Sequence, residues 1–247
     1  MLYTIKREFG KIYITFSNGD EIKIGYTDDV EGLRQIVEAS SWSNWKNKYI
    51  YSSKYKKNLH QVVMEFWHGT ENFQKSKGMG FVVDHIDNNG FNCQIENLYF
   101  LHSKKNLHYK GNWYDPLRAE KSTIAALHIF SNFNQNKFQI TIGFNKPFIG
   151  NTGIEINSVW LLYCDKSYDL VLSDALHILE SLDKGMINFT ELRHNKGKCK
   201  AVSRIQTSSK NALKGGNVIQ SNGEWHIVKG EGFKIEKIAP DKELWNH

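Results

Sequence analysis

The sequence predicts an α+β fold, on three observations. Several short stretches alternate apolar and polar residues with the two-residue period of half-buried strands. Others place apolar residues at helical spacing, and Asn-Gly or lone Gly signals separate the groups. Because the groups are small, the fold reads as hairpin-plus-helix modules strung along the chain.

In chain order, the first hairpin alternates Ile12, Ile14 and Phe16, then Ile22, Ile24 and Tyr26, around the turn sequence Ser17-Asn18-Gly19-Asp20. Asp28 with Glu31 reads as a capping box, and Val30, Leu33 and Val37 supply the apolar stripe of a following helix. This defines an N-terminal module, 1–40, with its own small core. A second module, 41–118, opens with Trp42, Trp45, Tyr49, Tyr51 and Tyr55 interleaved with Lys46, Lys48, Lys54, Lys56 and Lys57. A helix is expected over 59–67, with Leu59, Val62, Val63 and Phe66 on one face and Gly69 as its stop.

Further on, 119–192 forms an α+β module. Phe138, Ile140, Ile142 and Phe144 alternate, strands continue through Trp160 to Tyr163, and 170–182 fits a helix with Leu172, Leu176 and Leu179 inward. The last module, 193–247, starts as a flexible basic linker: Arg193, Lys196, Lys198, Lys200, Arg204, Lys210 and Lys214 occur without an acidic residue between them. A hairpin turning at Asn222-Gly223 follows, with a further strand at 233–238.

Bulk properties narrow the function classes. With 40% hydrophobic and 23% charged residues the composition is that of a soluble globular protein. No apolar run reaches the ~18 residues of a membrane span, and Lys6, Arg7 and Glu8 stand where a signal peptide needs an apolar stretch. A cytoplasmic protein with no membrane partner is expected. Cys93, Cys164 and Cys199 form neither a CxxC pair nor an even set, which argues for reduced thiols and against a zinc or disulfide framework. The net charge of +6 and the two acid-free basic clusters fit either a solvated surface or a polyanionic partner, since lysines that neutralise phosphates release counterions.

The chemistry is concentrated between Phe81 and His108. Phe81 to Ile86 reads as a strand, Asp87 to Gly90 as a turn-rich loop in which Asp87 opens the turn, and Leu98 to Leu101 as a second strand. Ser103 is the N-cap of a helix carrying Lys104, Lys105 and Asn106. That order can bring Asp84 and His85 beside Asn106. A carboxylate and an amide carbonyl are oxygen donors suited to Mg²⁺ or Mn²⁺, and a neighbouring imidazole can take a proton from an attacking water. Those are the two needs of phosphodiester hydrolysis. Lys104 and Lys105 fit a solvated helix face or a DNA contact, and His60 and His102 read first as histidines packed near the site.

The pattern Asp84-His85-x11-Asn97-x8-Asn106, with Glu96-Asn97-Leu98 around its middle, resembles the HNH motif of phage homing endonucleases with a ββα-metal core. The lead-in Leu59-His60-Gln61-Val62-Val63 is similar to the histidine-bearing helix that often precedes it. The resemblance spans roughly 59–109, and it implies a one-metal endonuclease acting on double-stranded DNA in a bacterial or phage-infected cell. By that resemblance His85 is the general base, Asp84 and Asn106 are metal ligands, and Asn97 hydrogen-bonds across the loop to orient His85. Many members end the motif in histidine. His108 lies two positions beyond Asn106, about 200° around a helix, so the two cannot both face the metal, and the spacing selects Asn106.

By pattern alone, 138–182 resembles the AP2 DNA-binding domains found beside such nucleases, although a generic α+β packing module fits equally well. Lys196, Lys198, Lys200 and Arg204 would then track the DNA backbone. A homing role is the first reading. A restriction or defence nuclease shares the chemistry, and a DNA-binding protein with an inactive core is the reading from another class. One such centre cuts one strand, so a double-strand break implies a dimer or two successive events.

Overall fold

The computed structural model describes residues 2–18, 21–102, 124–149, 153–184, 187–201, 217–221, 224–229 and 234–237. The chain is α+β, and it divides into two units, Met1–Phe100 and Leu101–His247.

In the first unit, β1 (Leu2–Glu8), β2 (Lys11–Asn18) and β3 (Glu21–Asp28) form an antiparallel sheet in that order. The expected hairpin is therefore the second half of a three-stranded meander. Ile12, Ile14 and Phe16 of β2 point into the core, as their period requires. On β3 the reading is inverted: Ile22 and Ile24 are more than half exposed, and the inward positions are Gly25 and Thr27. A Cβ on Gly25 would sit 2.1 Å from Ile50 Cδ1. Glycine there lets the next sheet approach.

Helix α1 (Glu31–Glu38) buries Leu33 and Val37, but the expected Asp28–Glu31 capping box does not form. Val30 is the N-cap and caps with no side chain. The Asp28 carboxylate is instead spent on chain 67 residues away, accepting the Ile95 N–H at 2.7 Å. Below this lies a small sheet of β4 (Trp42–Trp45), β5 (Tyr49–Ser52) and β6 (Lys57–Asn58), which contains the aromatic and lysine cluster. Its cations lie over rings rather than apart from them: Lys46 over Trp45, Lys48 over Tyr49 and Lys54 over Tyr55.

Helix α2 (Leu59–His68) buries Leu59, His60, Val62, Val63, Met64 and His68. At its start the Gln61 side chain accepts the Asn58 N–H at 3.0 Å. Gly69, at φ 79°, ends it as expected and leads directly into α3 (Thr70–Gly78). Strands β7 (Phe81–His85) and β8 (Leu98–His102) are hydrogen-bonded neighbours, joined by a loop and a single 3-10 turn at Ile95–Asn97.

The second unit is built on β9 (Ile124–Asn132), β10 (Lys137–Ile149), β11 (Glu155–Cys164) and β12 (Lys196–Ala201), each antiparallel to the next. Helix α4 (Tyr168–Asp183) lies against this sheet, burying Val171, Leu172, Ala175, Ile178 and Leu179. Its N-cap is Ser167, whose hydroxyl accepts the Leu170 N–H. A separate meander comprises β13 (Asn217–Ser221), β14 (Glu224–Lys229) and β15 (Lys234–Lys237), so the C-terminal hairpin has the further strand expected of it. Its turn at Asn222-Gly223 lies outside the described residues.

One expectation is corrected here. The first part of the basic segment is ordered rather than a flexible linker, because Lys196–Ala201 is the strand β12 and Arg193 is anchored. Arg193 donates from Nε and Nη2 to Asp174 Oδ1, at 3.0 and 2.6 Å, and from its backbone N–H to Oδ2 at 2.8 Å. The buried Tyr163 hydroxyl donates to the same Oδ2 at 3.0 Å. Asp174 is 2% exposed, so its charge is acceptable only because these donors saturate it.

Asp174→Ala strips the partner from the Tyr163 hydroxyl and from Arg193, just ahead of β12. We expect about 2–4 kcal/mol of lost stability in urea unfolding, the usual cost of breaking a buried charged hydrogen-bond network. A loss under about 0.5 kcal/mol, the level of an ordinary surface change, would contradict this account.

Candidate functional site

The site is set by a nine-residue loop, 86–94, held between β7 and the 3-10 turn. Strand β7 delivers Asp84 and His85 to its end, where strand pairing gives way to side-chain hydrogen bonds. Asp87 Oδ1 accepts the Asn89 N–H at 2.9 Å, the Asx turn that a turn-opening aspartate makes. Asn88 takes φ 58°, which asparagine tolerates better than most residues.

Asn97 closes the loop from the other side. Its Nδ2 donates to Asp87 Oδ1 and to the Asn92 carbonyl, both at 2.9 Å, and its Oδ1 accepts the Asp87 N–H at 3.2 Å. The Asn97 carbonyl accepts the Ile86 N–H at 2.9 Å. Asn97 thus bonds across the loop and fixes the backbone that follows His85. Its side chain bonds to Asp87 and Asn92 and its backbone to Ile86 and Gln94, and the His85 ring is not among these partners.

Two further sets of contacts anchor the loop. Strand β3 pairs with it: Tyr26 donates to the Phe91 carbonyl, Cys93 donates back to the Tyr26 carbonyl, and the Thr27 hydroxyl donates to the Cys93 carbonyl. At Gly90 a Cβ would lie 2.1 Å from the Lys48 carbonyl oxygen and 2.6 Å from Tyr49 Cδ1. Only glycine permits so close an approach, which brings Tyr49 over the site.

The Asp84 carboxylate accepts the His85 backbone N–H at 2.9 Å on Oδ1 and the Tyr99 hydroxyl at 3.3 Å on Oδ2. Burial raises its pKa above the usual carboxylate range, while those two donors and the charge of Lys48 favour the anion. Burial pushes His85 down to about 4, with the Asp87 charge acting the other way. The imidazole is therefore neutral at neutral pH. Its Nε2 is buried and has no hydrogen-bond partner among the described residues. For Asp87 burial acts upward, but the Asn89 N–H and the Asn92 and Asn97 amides outweigh it and hold the carboxyl below its ordinary range.

His60 of α2 stands against His85, ring edge to ring face, with centroids 4.8 Å apart. Tyr49 contacts both, at 5.3 Å from His60 and 6.2 Å from His85. Burial first, and the neighbouring His85 second, lower His60 to about 3. Cys93, fully buried, has its thiol pKa raised by burial and by the Asp87 charge.

The fold thus brings together Asp84, His85 and Asn97. Asn106, Lys104 and Lys105, with Ser103 and His108, lie outside the described residues, as does Arg204. Lys196, Lys198 and Lys200 alternate on β12, which places them on one face of that strand. The sequence reading gave no place to Tyr99, Lys48 or Cys93. Tyr99 reaches the site through its hydroxyl bond to Asp84, which no local pattern in the apolar run of β8 marks.

Compared with protein-family models, with curated proteins and with solved structures, the chain matches none. Among the described residues no helix is long and apolar enough to cross a membrane.

Proposed function

We propose that this chain is a metal-dependent DNA endonuclease of the HNH type. The observation that carries the proposal is the pairing, at the end of β7, of a partly buried carboxylate with a neutral imidazole whose Nε2 has no hydrogen-bond partner among the described residues. A polar strand end of no function would not require a loop tied at Asp87, Asn92 and Asn97 to hold that pair.

The donor chemistry fits a hard divalent cation. Asp84 offers carboxylate oxygen in a partly buried place, where a neighbouring positive charge would relieve the cost of ionisation. Asn106 is the second ligand that the motif supplies. When bound, Mg²⁺ or Mn²⁺ stabilises charge on the phosphate and on the leaving oxygen. His85 takes the proton from the attacking water, the task for which a neutral imidazole is suited. Tyr99 holds Asp84 in place through its hydroxyl, and Asn97 holds the chain beyond His85. The lysine face of β12 and the Lys46 to Lys57 cluster supply positive charge for a phosphate backbone. Of the three roles, homing remains the first, on the form of the motif.

Supercoiled plasmid incubated with the purified chain and Mg²⁺ or Mn²⁺ should be nicked or linearised, and EDTA should abolish the reaction. Matched RNA should be cut more slowly. DNA that stays intact across both metals while still being bound by the protein would replace this reading with that of a DNA-binding protein.

A further inference from the structure

The nuclease reading has no use for His60 or Cys93, yet the fold gathers both onto His85. A ligand atom from each of the three residues lies within 4.8 Å of those of the other two, and all three residues are buried. They come from separate segments: His60 from the first turn of α2, His85 from the end of β7, and Cys93 from the loop that β3 pins in place.

Two of the three present orphaned polar atoms. His60 Nδ1 and His85 Nε2 have no hydrogen-bond partner among the described residues. Such groups ordinarily cost free energy unless something satisfies them. The Cys93 thiol makes a long contact, 3.7 Å, to the Gly90 carbonyl and lies against the His60 backbone N–H. No carboxylate belongs to the cluster, and two imidazole nitrogens with one thiol sulfur are poor ligands for Mg²⁺ but good ones for Zn²⁺ and its relatives.

We propose that His60, His85 and Cys93 form a binding site for a thiophilic divalent cation of the Zn²⁺ class. Two nitrogens, one sulfur and a fourth, non-protein ligand make the tetrahedral set that this class prefers. Ligand atoms in such a set lie about 3.3–3.6 Å apart, as Zn–N of about 2.0–2.1 Å and Zn–S of about 2.3 Å require. The cluster therefore closes by little more than an ångström on binding. Cys93 binds as thiolate, and its proton leaves to solvent. No electron is transferred.

A regulatory consequence follows, and it rests on the nuclease reading. The ion would occupy the His85 lone pair that the general base needs, so a Zn²⁺-class ion inhibits where Mg²⁺ or Mn²⁺ activates.

The test uses the intact chain, freed of metal and titrated with Co²⁺ as a spectroscopic substitute. One equivalent should give visible d–d bands of tetrahedral intensity and a near-ultraviolet thiolate-to-cobalt band, and Zn²⁺ should displace both. Cys93→Ser should abolish the near-ultraviolet band, whereas Cys164→Ser and Cys199→Ser should retain it. His60→Gln should weaken binding by at least about tenfold, the scale seen even for lost outer-shell partners of a metal. A folded wild-type chain without the thiolate band overturns the site, and so does a band that survives Cys93→Ser. In the second arm, Mg²⁺-supported cleavage is compared with and without one equivalent of Zn²⁺. Its rate ratio should fall at least about tenfold in the wild type and return toward one in Cys93→Ser. A cobalt site without that fall overturns the inhibition, and plasmid that is never cut under any condition overturns the nuclease reading, while the cobalt band still decides the site.

Discussion

His85→Ala should lower the rate of Mg²⁺-supported DNA cleavage by at least about 10²-fold, and up to about 10⁴-fold, while leaving DNA affinity within a few-fold of the wild type. The asymmetry follows from where the side chain sits. His85 is 4% exposed, with its ring between His60 and Tyr49, so it offers the duplex little surface and little charge. At neutral pH burial keeps it unprotonated, so it adds nothing to phosphate attraction. A purely structural role would instead reduce binding and cleavage together as the loop loosens. Single-turnover cleavage at saturating protein separates the two, because it reads the chemical step after binding is complete. Cleavage within about threefold of wild type would remove His85 from the reaction. Impaired cleavage restored by excess protein would make it a residue of binding.

The parts of this site that the sequence displayed are those whose signals are local. The short strand opened by Phe81-Val82-Val83, the turn chemistry of Asp87 to Gly90 and the apolar run of β8 each follow from neighbours within a few residues, and each stands where it was expected. The asparagine that ties the loop is marked by the motif resemblance, although its bonds go to the loop backbone and Asp87. What failed was long-range. Asp28 has the form of a helix cap, but a backbone N–H 67 residues away competes for the same carboxylate and wins. Ile22 and Ile24 look like a core face until Gly25 and Thr27 take the inward positions, because Ile50 needs the space beside Gly25. Helix α3 was silent for another reason: of its nine residues only Phe73 and Ser76 are buried, too few to mark an amphipathic period. The basic run at Lys196 to Lys200 has the composition of a linker and the structure of a strand, since pairing with β11 does not depend on side-chain polarity. Cys93 was read alone. Its significance depends on His60 and His85, which reach it only through the fold.

The same burial predicts a steep loss of stability in mild acid. His60 and His68 are both buried in the first unit, and burial pushes each down to about 3. An unfolded chain protonates them near ~6.5. Between those two values the unfolded state therefore binds more protons than the folded one, and stability must fall as pH falls. Above about 6.5 both states are neutral at these positions and the effect vanishes. The two histidines together set a limiting slope of about 2.7 kcal/mol per pH unit, at about 1.36 kcal/mol each. His85 adds to it in the same direction until about pH 4. Asp84 opposes it, because its raised pKa lets the folded state take up a proton first, but it is one group against three. By pH 4.5 the cost of His60 and His68 reaches about 5 kcal/mol, comparable with the whole stability of a typical domain. Urea unfolding between pH 7 and pH 5 should therefore show midpoints that collapse with acid, followed by loss of structure between about pH 4 and 5. The diagnostic variant is His68→Gln. Whatever it costs at pH 7, it should remove about 1.4 kcal/mol per pH unit from the slope, because the slope counts titrating groups rather than contacts. A stability that stays flat from pH 7 to pH 5 would mean that these histidines reach water in the folded state, and a slope unchanged by His68→Gln would assign the acid sensitivity to other groups.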